Sequence, residues 1–297
     1  MSDVSSRKAV VSHQATLIYN PHAGFNDWRK VVAGVAALWE KSGWQVAVRP
    51  TEHAGHATEL AADAARAQHG LVLVAGGDGT LNEVANGLLG TETVLAPLPV
   101  GTTNTFAKEL GLPRPNFLHP DWLKDVSKAL QRGTIQRMDM GQCDNGRAWL
   151  FWAGIGIDAY LVDQIEPRPR WFKRLGPAGY LAKSLAVLPN FSGVRAQVRV
   201  DDKDYAGEFV MVNISNSRLF GGGELRLNPD AVLDDGEFEV WMFRGRDWPQ
   251  VLQYMLEISR AHHAQHPDVE FVRGRRVEVS VQSEATFHID GEPGGHA

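Results

Sequence analysis

A chain of 297 residues with 43% hydrophobic and 22% charged side chains has the make-up of a water-soluble globular protein with room for two domains. Its net charge of −5 gives no general basic footprint for nucleic acid, and its single cysteine, Cys143, excludes an intramolecular disulfide. It has neither an apolar run of about 18 residues to cross a membrane nor the order of a signal peptide, so a cytoplasmic protein is expected.

Residues 1–14 are polar and irregular and read as a frayed leader. A strand at 15–19 runs into the turn Asn20-Pro21-His22-Ala23-Gly24. Val31, Val32, Val35, Leu38 and Trp39 recur at helical spacing and predict a helix over 27–41. A strand at 44–48, a loop from Thr51 to His56 and an alanine-rich helix at 57–68 follow. Leu71-Val72-Leu73-Val74 reads as a buried strand and opens onto Gly76-Gly77-Asp78-Gly79. Thr80 is then the expected cap of a helix carrying Leu81, Val84, Ala85, Leu88 and Leu89. A strand at 94–100, broken by Pro97 and Pro99, ends in a second glycine loop, Gly101-Thr102-Thr103-Asn104, before a helix at 105–110.

Strands alternating with helices predict right-handed βαβ units and a doubly wound parallel sheet of Rossmann type. Ligands of such sheets bind beyond the carboxyl ends of the strands, where the loops at 20–24, 51–55, 76–80 and 101–104 should all lie. Past a proline-punctuated stretch at 112–120 and a helix at 121–131, strand signals dominate. They fall at 135–143, 147–153, 194–200, 208–214, 237–243, 277–281 and 285–289, with helices at 178–188 and 249–262 between them. This predicts a mainly antiparallel β-sandwich and a boundary near Gly133, giving domains 1–133 and 134–297.

A strand, a glycine loop and a helix N-terminus together direct backbone N–H groups at phosphate. Asp78 complicates a simple anion hole, because a carboxylate beside phosphate repels it unless a cation lies between them. That combination points to a nucleotide–metal site, although tight strand-to-helix turns call for glycine on their own account. The ordered set of motifs is more specific than any one of them. Asn20-Pro21-x-Ala23-Gly24, Gly76-Gly77-Asp78-Gly79-Thr80-x-Asn82-Glu83 and Pro99-x-Gly101-Thr102-x-Asn104 are followed by Pro229-x-Ala231-x-x-Asp234-Asp235-Gly236 and Asp290-Gly291-Glu292. With these residues the chain resembles the soluble bacterial diacylglycerol kinases and their sphingosine- and ceramide-kinase relatives over nearly its whole length.

The resemblance implies an ATP-dependent, Mg²⁺-requiring lipid kinase. Its acceptor would be a hydroxyl of diacylglycerol, a sphingoid base or phosphatidylglycerol, met at the inner membrane face. It gives ATP contacts to Asn20, Thr51, Gly76, Gly77, Asp78, Gly79, Thr80, Asn82, Glu83 and Thr102, with Asn104 shaping the second loop. Asp78 would hold the nucleotide's Mg²⁺, Glu292 would accept the lipid hydroxyl's proton, and Asp290 would support it or stand in for it. A second, structural Mg²⁺ would sit on Asp235 and the carbonyls of Val232 and Glu237; the same stretch is also good hairpin-turn chemistry. The expected partners are ATP, a hydroxyl lipid and a second copy of the chain, and no nucleic acid. NAD kinase shares the Gly76–Thr80 motif, and a nucleotide-binding regulator without catalysis is a further alternative.

The pattern departs from the family at three places. Phe25 stands where a lysine is usual, with Arg29 or Lys30 as substitutes; Thr105 replaces an aspartate; and the closing strand that relatives carry after Asp290-Gly291-Glu292 is expected to be missing, or the edge it would pair with to be covered otherwise. Arg168-Pro169-Arg170-Trp171-Phe172-Lys173-Arg174 is the one dense basic–aromatic cluster, suited to a membrane surface, to covering the nucleotide or to a solvated edge. His262, His263 and His266 are expected to close a helix C-terminus.

Overall fold

The computed structural model describes residues 12–24, 28–113, 121–165 and 176–296, with backbone alone at 176–178, 180 and 181. The leader at 1–11, Phe25, the stretch 114–120 and the cluster Arg168–Arg174 lie outside the described residues. Two compact units divide the chain, Met1–Gln136 and Arg137–Ala297.

In the first unit β1 (Gln14–Tyr19), α1 (Arg29–Glu40), β2 (Gln45–Pro50), α2 (His56–Arg66), β3 (Leu71–Gly76), α3 (Asp78–Leu88) and β4 (Val94–Pro99) follow in strict alternation. Two further helices, α4 (Thr105–Glu109) and α5 (Trp122–Arg132), complete it. The strands form one parallel sheet in the order β2-β1-β3-β4. Every residue of β3 is buried, which is why its sequence is a continuous apolar run rather than an alternation. Alternate strand positions such as Leu17, Leu73 and Leu98 join Val32, Val35 and Trp39 of α1 and Val126 of α5 in one core. On the other face α2 and α3 pack against each other and on β1 and β3. The prolines of β4 are tolerated because it is an edge strand. Val94 and Val100 donate their N–H groups to Gly70 and Gly76, so Pro97 and Pro99 lack donors on the side facing away from β3.

The second unit contains β5 (Gly141–Gln142), β6 (Ala148–Trp149), β7 (Trp152–Gly156), α6 (Ile157–Ile165), β8 (Val194–Val200), β9 (Lys203–Ser215), β10 (Leu219–Phe220), β11 (Leu225–Arg226), β12 (Phe238–Arg244), β13 (Val269–Gly274), β14 (Val277–Val281), β15 (Thr286–Ile289) and β16 (Glu292–His296). Helices also span Gly176–Val187 and Trp248–Ser259. The main sheet runs β13-β12-β9-β7-β15-β16, with β8 attached to β9 and β14 to β8. All of its pairings are antiparallel. The 13-residue β9 pairs with β8 through its first half and with β12 and β7 through its second. Ala196 and Val198 of β8 share a core with Val212 of β9 and Val240 and Met242 of β12, so the two parts of the sheet enclose apolar side chains as a sandwich does.

Several sequence expectations are corrected. Thr80 is not a cap: α3 starts at Asp78 on an extended Gly77, and Thr80 lies in its first turn. Of the strand expected over 135–143 only Gly141–Gln142 forms, because the exposed residues from Gly133 to Arg137 have no neighbouring strand to pair with. The stretch 147–153 breaks into β6 and β7, and α6, β13 and β16 were not anticipated. Asp290-Gly291 does not end the last strand but joins β15 to β16, which forms the sheet edge. His263 closes no helix end; it is buried against Trp241, with Nε2 2.9 Å from the Leu227 carbonyl.

Candidate active site

The connection after β1 goes to β2 on one side, and the chain then crosses β1 to form β3 on the other. This reversal opens the crevice of a doubly wound sheet between the carboxyl ends of β1 and β3. Asn20 closes that end. Its N–H donates to the Ala75 carbonyl (3.0 Å), its Oδ1 accepts the His22 N–H (2.8 Å), and its Nδ2 donates to Thr80 Oγ1 (3.3 Å). Gly24 has φ +63°, and a Cβ there would come within 2.7 Å of the Val100 carbonyl oxygen. Asn20-Pro21-x-Ala23-Gly24 is thereby held to the ends of both β3 and β4.

The two glycine loops meet backbone to backbone: a Cβ on Gly101 would lie 2.4 Å from Gly77 Cα. Asn104, left-handed at φ 53° and buried, braces the second loop. Its Oδ1 accepts the Gly101 N–H at 2.9 Å, and its Nδ2 donates to the Gly101 carbonyl at 2.8 Å. Thr102 and Thr103 are exposed at the tip. Gly77 has no side chain to cap α3, so the N–H groups of Asp78, Gly79 and Thr80 open the helix without a side-chain partner at the cap. This is the geometry that receives an anionic oxygen.

Asp78 does not obstruct it. Its carboxylate is engaged by the start of α4, with Oδ1 3.3 Å from the Phe106 N–H and further hydrogen bonds from the backbone and hydroxyl of Thr105. Burial raises its pKa above the usual carboxylate range, opposed by these donors and by Lys108. A carboxylate under that strain gains from a nearby cation, so its hard oxygen donors fit Mg²⁺.

Other candidates face elsewhere. Glu83 Oε2 accepts the Ala57 N–H in the first turn of α2 (3.2 Å), and its carbonyl accepts the Thr58 hydroxyl (2.8 Å). The Asn82 side chain is buried within α3 and accepts from Asn86. Glu83 therefore serves the α2–α3 seam. Thr51 is tied to β1 through its N–H on the Tyr19 carbonyl (2.9 Å).

In the second unit Asp290 (φ 51°) and Gly291 (φ 77°) form a two-residue hairpin turn, the positive-φ pair that Asp-Gly favours. The Asp290 carboxylate accepts N–H groups from Leu150 and Phe151 at 2.8 Å and from Trp152 at 3.1 Å. Burial outweighs these bonds and pushes its pKa up to about 6. Glu292 is exposed instead, and its Oε2 lies 2.8 Å from Arg147 Nη2. Arg147 gave no signal in the sequence, since its role depends on pairing between segments 145 residues apart.

The loop at 229–237 holds a cation of its own. Asp235 pairs with Arg273, whose guanidinium also lies 3.7 Å from Glu237 and 3.5 Å from Glu239. The other Asp235 oxygen accepts the Glu237 N–H (3.1 Å), and the Gly236 N–H goes to Asp139 (2.6 Å). Asp235, Val232 and Glu237 thus do not fit a structural Mg²⁺, because the guanidinium already neutralises the carboxylate such an ion would use.

Comparison with known proteins gives the same architecture a family. The diacylglycerol kinase catalytic domain model matches residues 14–143, and the YegS C-terminal NAD kinase beta sandwich-like domain matches 153–297. The diacylglycerol kinase of Bacillus subtilis (strain 168) is 31% identical over 95% of this chain and 90% of its own. That of Staphylococcus saprophyticus is 30% identical over 95% and 90%. The crystal structure of a diacylglycerol kinase from Bacillus anthracis str. Sterne superposes with a TM-score of 0.67, at 21% identity, over 96% of this chain and 91% of that one. A doubly wound sheet with an open helix N-terminus, followed by an antiparallel sandwich, is the frame of a phosphotransferase with an alcohol acceptor. The chain belongs to the diacylglycerol kinase family, whose members are lipid kinases.

Proposed function

We propose that the chain transfers the terminal phosphoryl group of ATP to the hydroxyl of a membrane lipid of diacylglycerol, sphingoid or phosphatidylglycerol type. The observation that carries this is the uncapped N-terminus of α3 at the β1/β3 crevice, flanked by the Gly101–Asn104 loop. Unit 1 is the nucleotide-binding domain and unit 2 the lipid-substrate domain. Backbone N–H groups of Asp78, Gly79 and Thr80 hold phosphate oxygens, Thr102 adds a hydroxyl, and Asp78 holds the Mg²⁺ that accompanies ATP. When bound, that ion supplies charge neutralisation for the transferring phosphoryl group. Because the Asp290 carboxylate is buried and held by three backbone donors while Glu292 is exposed, Glu292 is the group that accepts the lipid hydroxyl's proton, oriented by Arg147.

Among the described residues no helix is long and apolar enough to cross a membrane, which suits an enzyme that works in the cytoplasm and meets its lipid at the inner membrane face. Radiolabelled ATP offered with diacylglycerol, sphingosine, phosphatidylglycerol and NAD in parallel tests the proposal. Label is expected on a lipid and not on NAD. Label on NAD alone would favour the NAD kinase alternative, and retained Mg·ATP binding with no transfer would leave a non-catalytic regulator.

A further inference from the structure

Close to the Asp290-Gly291 turn lies a buried pair that the reaction above does not use. His288 on β15 and Asp158 in the first turn of α6 have side chains only 2% and 11% exposed, with His288 Nε2 2.9 Å from Asp158 Oδ2. The other ring nitrogen, Nδ1, lies 3.3 Å from the Gly291 N–H. An amide N–H can only donate, so Nδ1 is the acceptor and carries no proton. The proton of the neutral ring is then on Nε2 and is donated to Asp158. Asp158 fixes the tautomer, and the tautomer provides the acceptor that holds the turn.

The local sequence makes room for this pair. Gly154 lies opposite His288 in the β7–β15 ladder, and a Cβ there would fall 2.4 Å from Asp158 Oδ2 and 3.0 Å from His288 Nε2. Gly156, at φ +98°, lets β7 turn directly into α6 and so delivers Asp158. Two glycines and an aspartate within five residues thus serve one histidine.

We propose that Asp158 and His288 are positioning residues for phosphoryl transfer, acting through the Gly291 N–H on the turn that presents Glu292. This rests on the assignment of Glu292 to the reaction.

Three substitutions separate the roles of the two ring nitrogens. His288→Asn puts an amide oxygen near the place of Nδ1 and keeps the acceptor for Gly291. His288→Gln keeps a donor for Asp158 and loses that acceptor. Asp158→Asn can donate to Nε2, which moves the ring proton to Nδ1 and turns it against the Gly291 N–H. The expected result is a ten- to a hundredfold fall in kcat for His288→Gln and Asp158→Asn. KM for ATP should stay unchanged and the Gly291 amide should exchange faster with deuterium, whereas His288→Asn retains most of kcat and the amide protection. Unchanged Gly291 protection in all three variants overturns the proposal, as do kcat losses that merely follow melting temperature. Lost protection with undiminished kcat overturns it in a different way, since the fault then lies with the assignment of Glu292; full activity of Glu292→Gln would show that separately.

Discussion

Asp78 looks out of place beside a phosphate loop until its partners are seen. Its carboxylate faces the first N–H groups of α4 and the Thr105 hydroxyl, so it serves two helix starts: its own N–H opens α3 while its side chain closes α4. The Thr105 hydroxyl donates to Asp78, where a carboxylate at the same position would repel it. Asp78→Asn keeps an acceptor for Phe106 and removes the charge. It should leave the melting temperature close to that of the parent while cutting phosphoryl transfer at least a hundredfold. Asp78→Ala should lose the same activity and about 1 kcal/mol of stability besides, because α4 loses its cap. Transfer near the parental rate in Asp78→Asn would remove the metal role.

Glu239 gives a pH-dependent expectation. It is 3% exposed, its Oε2 has no hydrogen-bond partner among the described residues, and burial pushes its pKa up to about 7 in spite of Arg273. The folded state therefore binds this proton more tightly than the unfolded chain, whose glutamate titrates near its ordinary value. Stability attributable to Glu239 is full below about pH 4.5 and declines as pH rises toward 7. Glu239→Gln should stabilise the protein at pH 8, by on the order of 2 kcal/mol, with the gain vanishing below about pH 4.5. Denaturation midpoints measured across that range check both sign and window. None of this was legible in the sequence, where Glu239 is one acidic residue at the start of a continuous apolar run. Its burial follows from β12 being flanked by β9 and β13.

At the scale of elements, the glycine loops show why some motifs can be read and others cannot. Gly76, Gly77 and Gly101 stood out because they interrupt apolar runs, and the structure gives Gly76 and Gly101 a packing reason that needs no ligand. Gly101→Ala would drive a methyl group into Gly77. The two loops would have to part, with a stability loss of roughly 1–3 kcal/mol and a raised KM for ATP. A thermal melt beside ATP titrations tests this, and an unperturbed variant would mean that the loops do not need to touch. The parallel unit was legible because its strands and helices alternate strictly along the chain and each has a strong local pattern. Glu83 is turned to α2, because a motif on a helix has several faces and only packing decides which one meets the loop. The stretch 135–143 misled for a related reason, since an apolar–polar alternation makes a strand only where another strand stands beside it.

At the scale of the molecule, each unit matches its own domain model, and together they place the chain in its family over most of its length. The order of motifs carried that information, because five short signatures in sequence are far more restrictive than any one glycine loop. The second unit resisted reading because its contacts are remote. β7 sits between β9 and β15, and Arg147 reaches Glu292 across 145 residues. No local pattern encodes such pairings. The loop at 229–237 shows the same limit in another form: its residues suit the family's metal motif, but Arg273, supplied by β13, occupies the cation's role.

The Asp290 carboxylate also bears on how the protein is made. Its donors at Leu150, Phe151 and Trp152 precede it by about 140 residues, so on the ribosome they wait for a segment not yet synthesised. At translation speeds of about 5–20 residues per second that wait is roughly 7–28 s. During it β7 has β9 on one side and a bare edge on the other, open to strand addition from a neighbouring chain. The nascent second domain should therefore be the part that engages chaperones, while the first, whose strands pair over short separations, closes early. Because the turn that satisfies those donors also presents Glu292, a chain that has not completed its sheet has no formed turn to present that carboxylate. With Glu292 as the proposed proton acceptor, completion of the fold and onset of activity would be a single event.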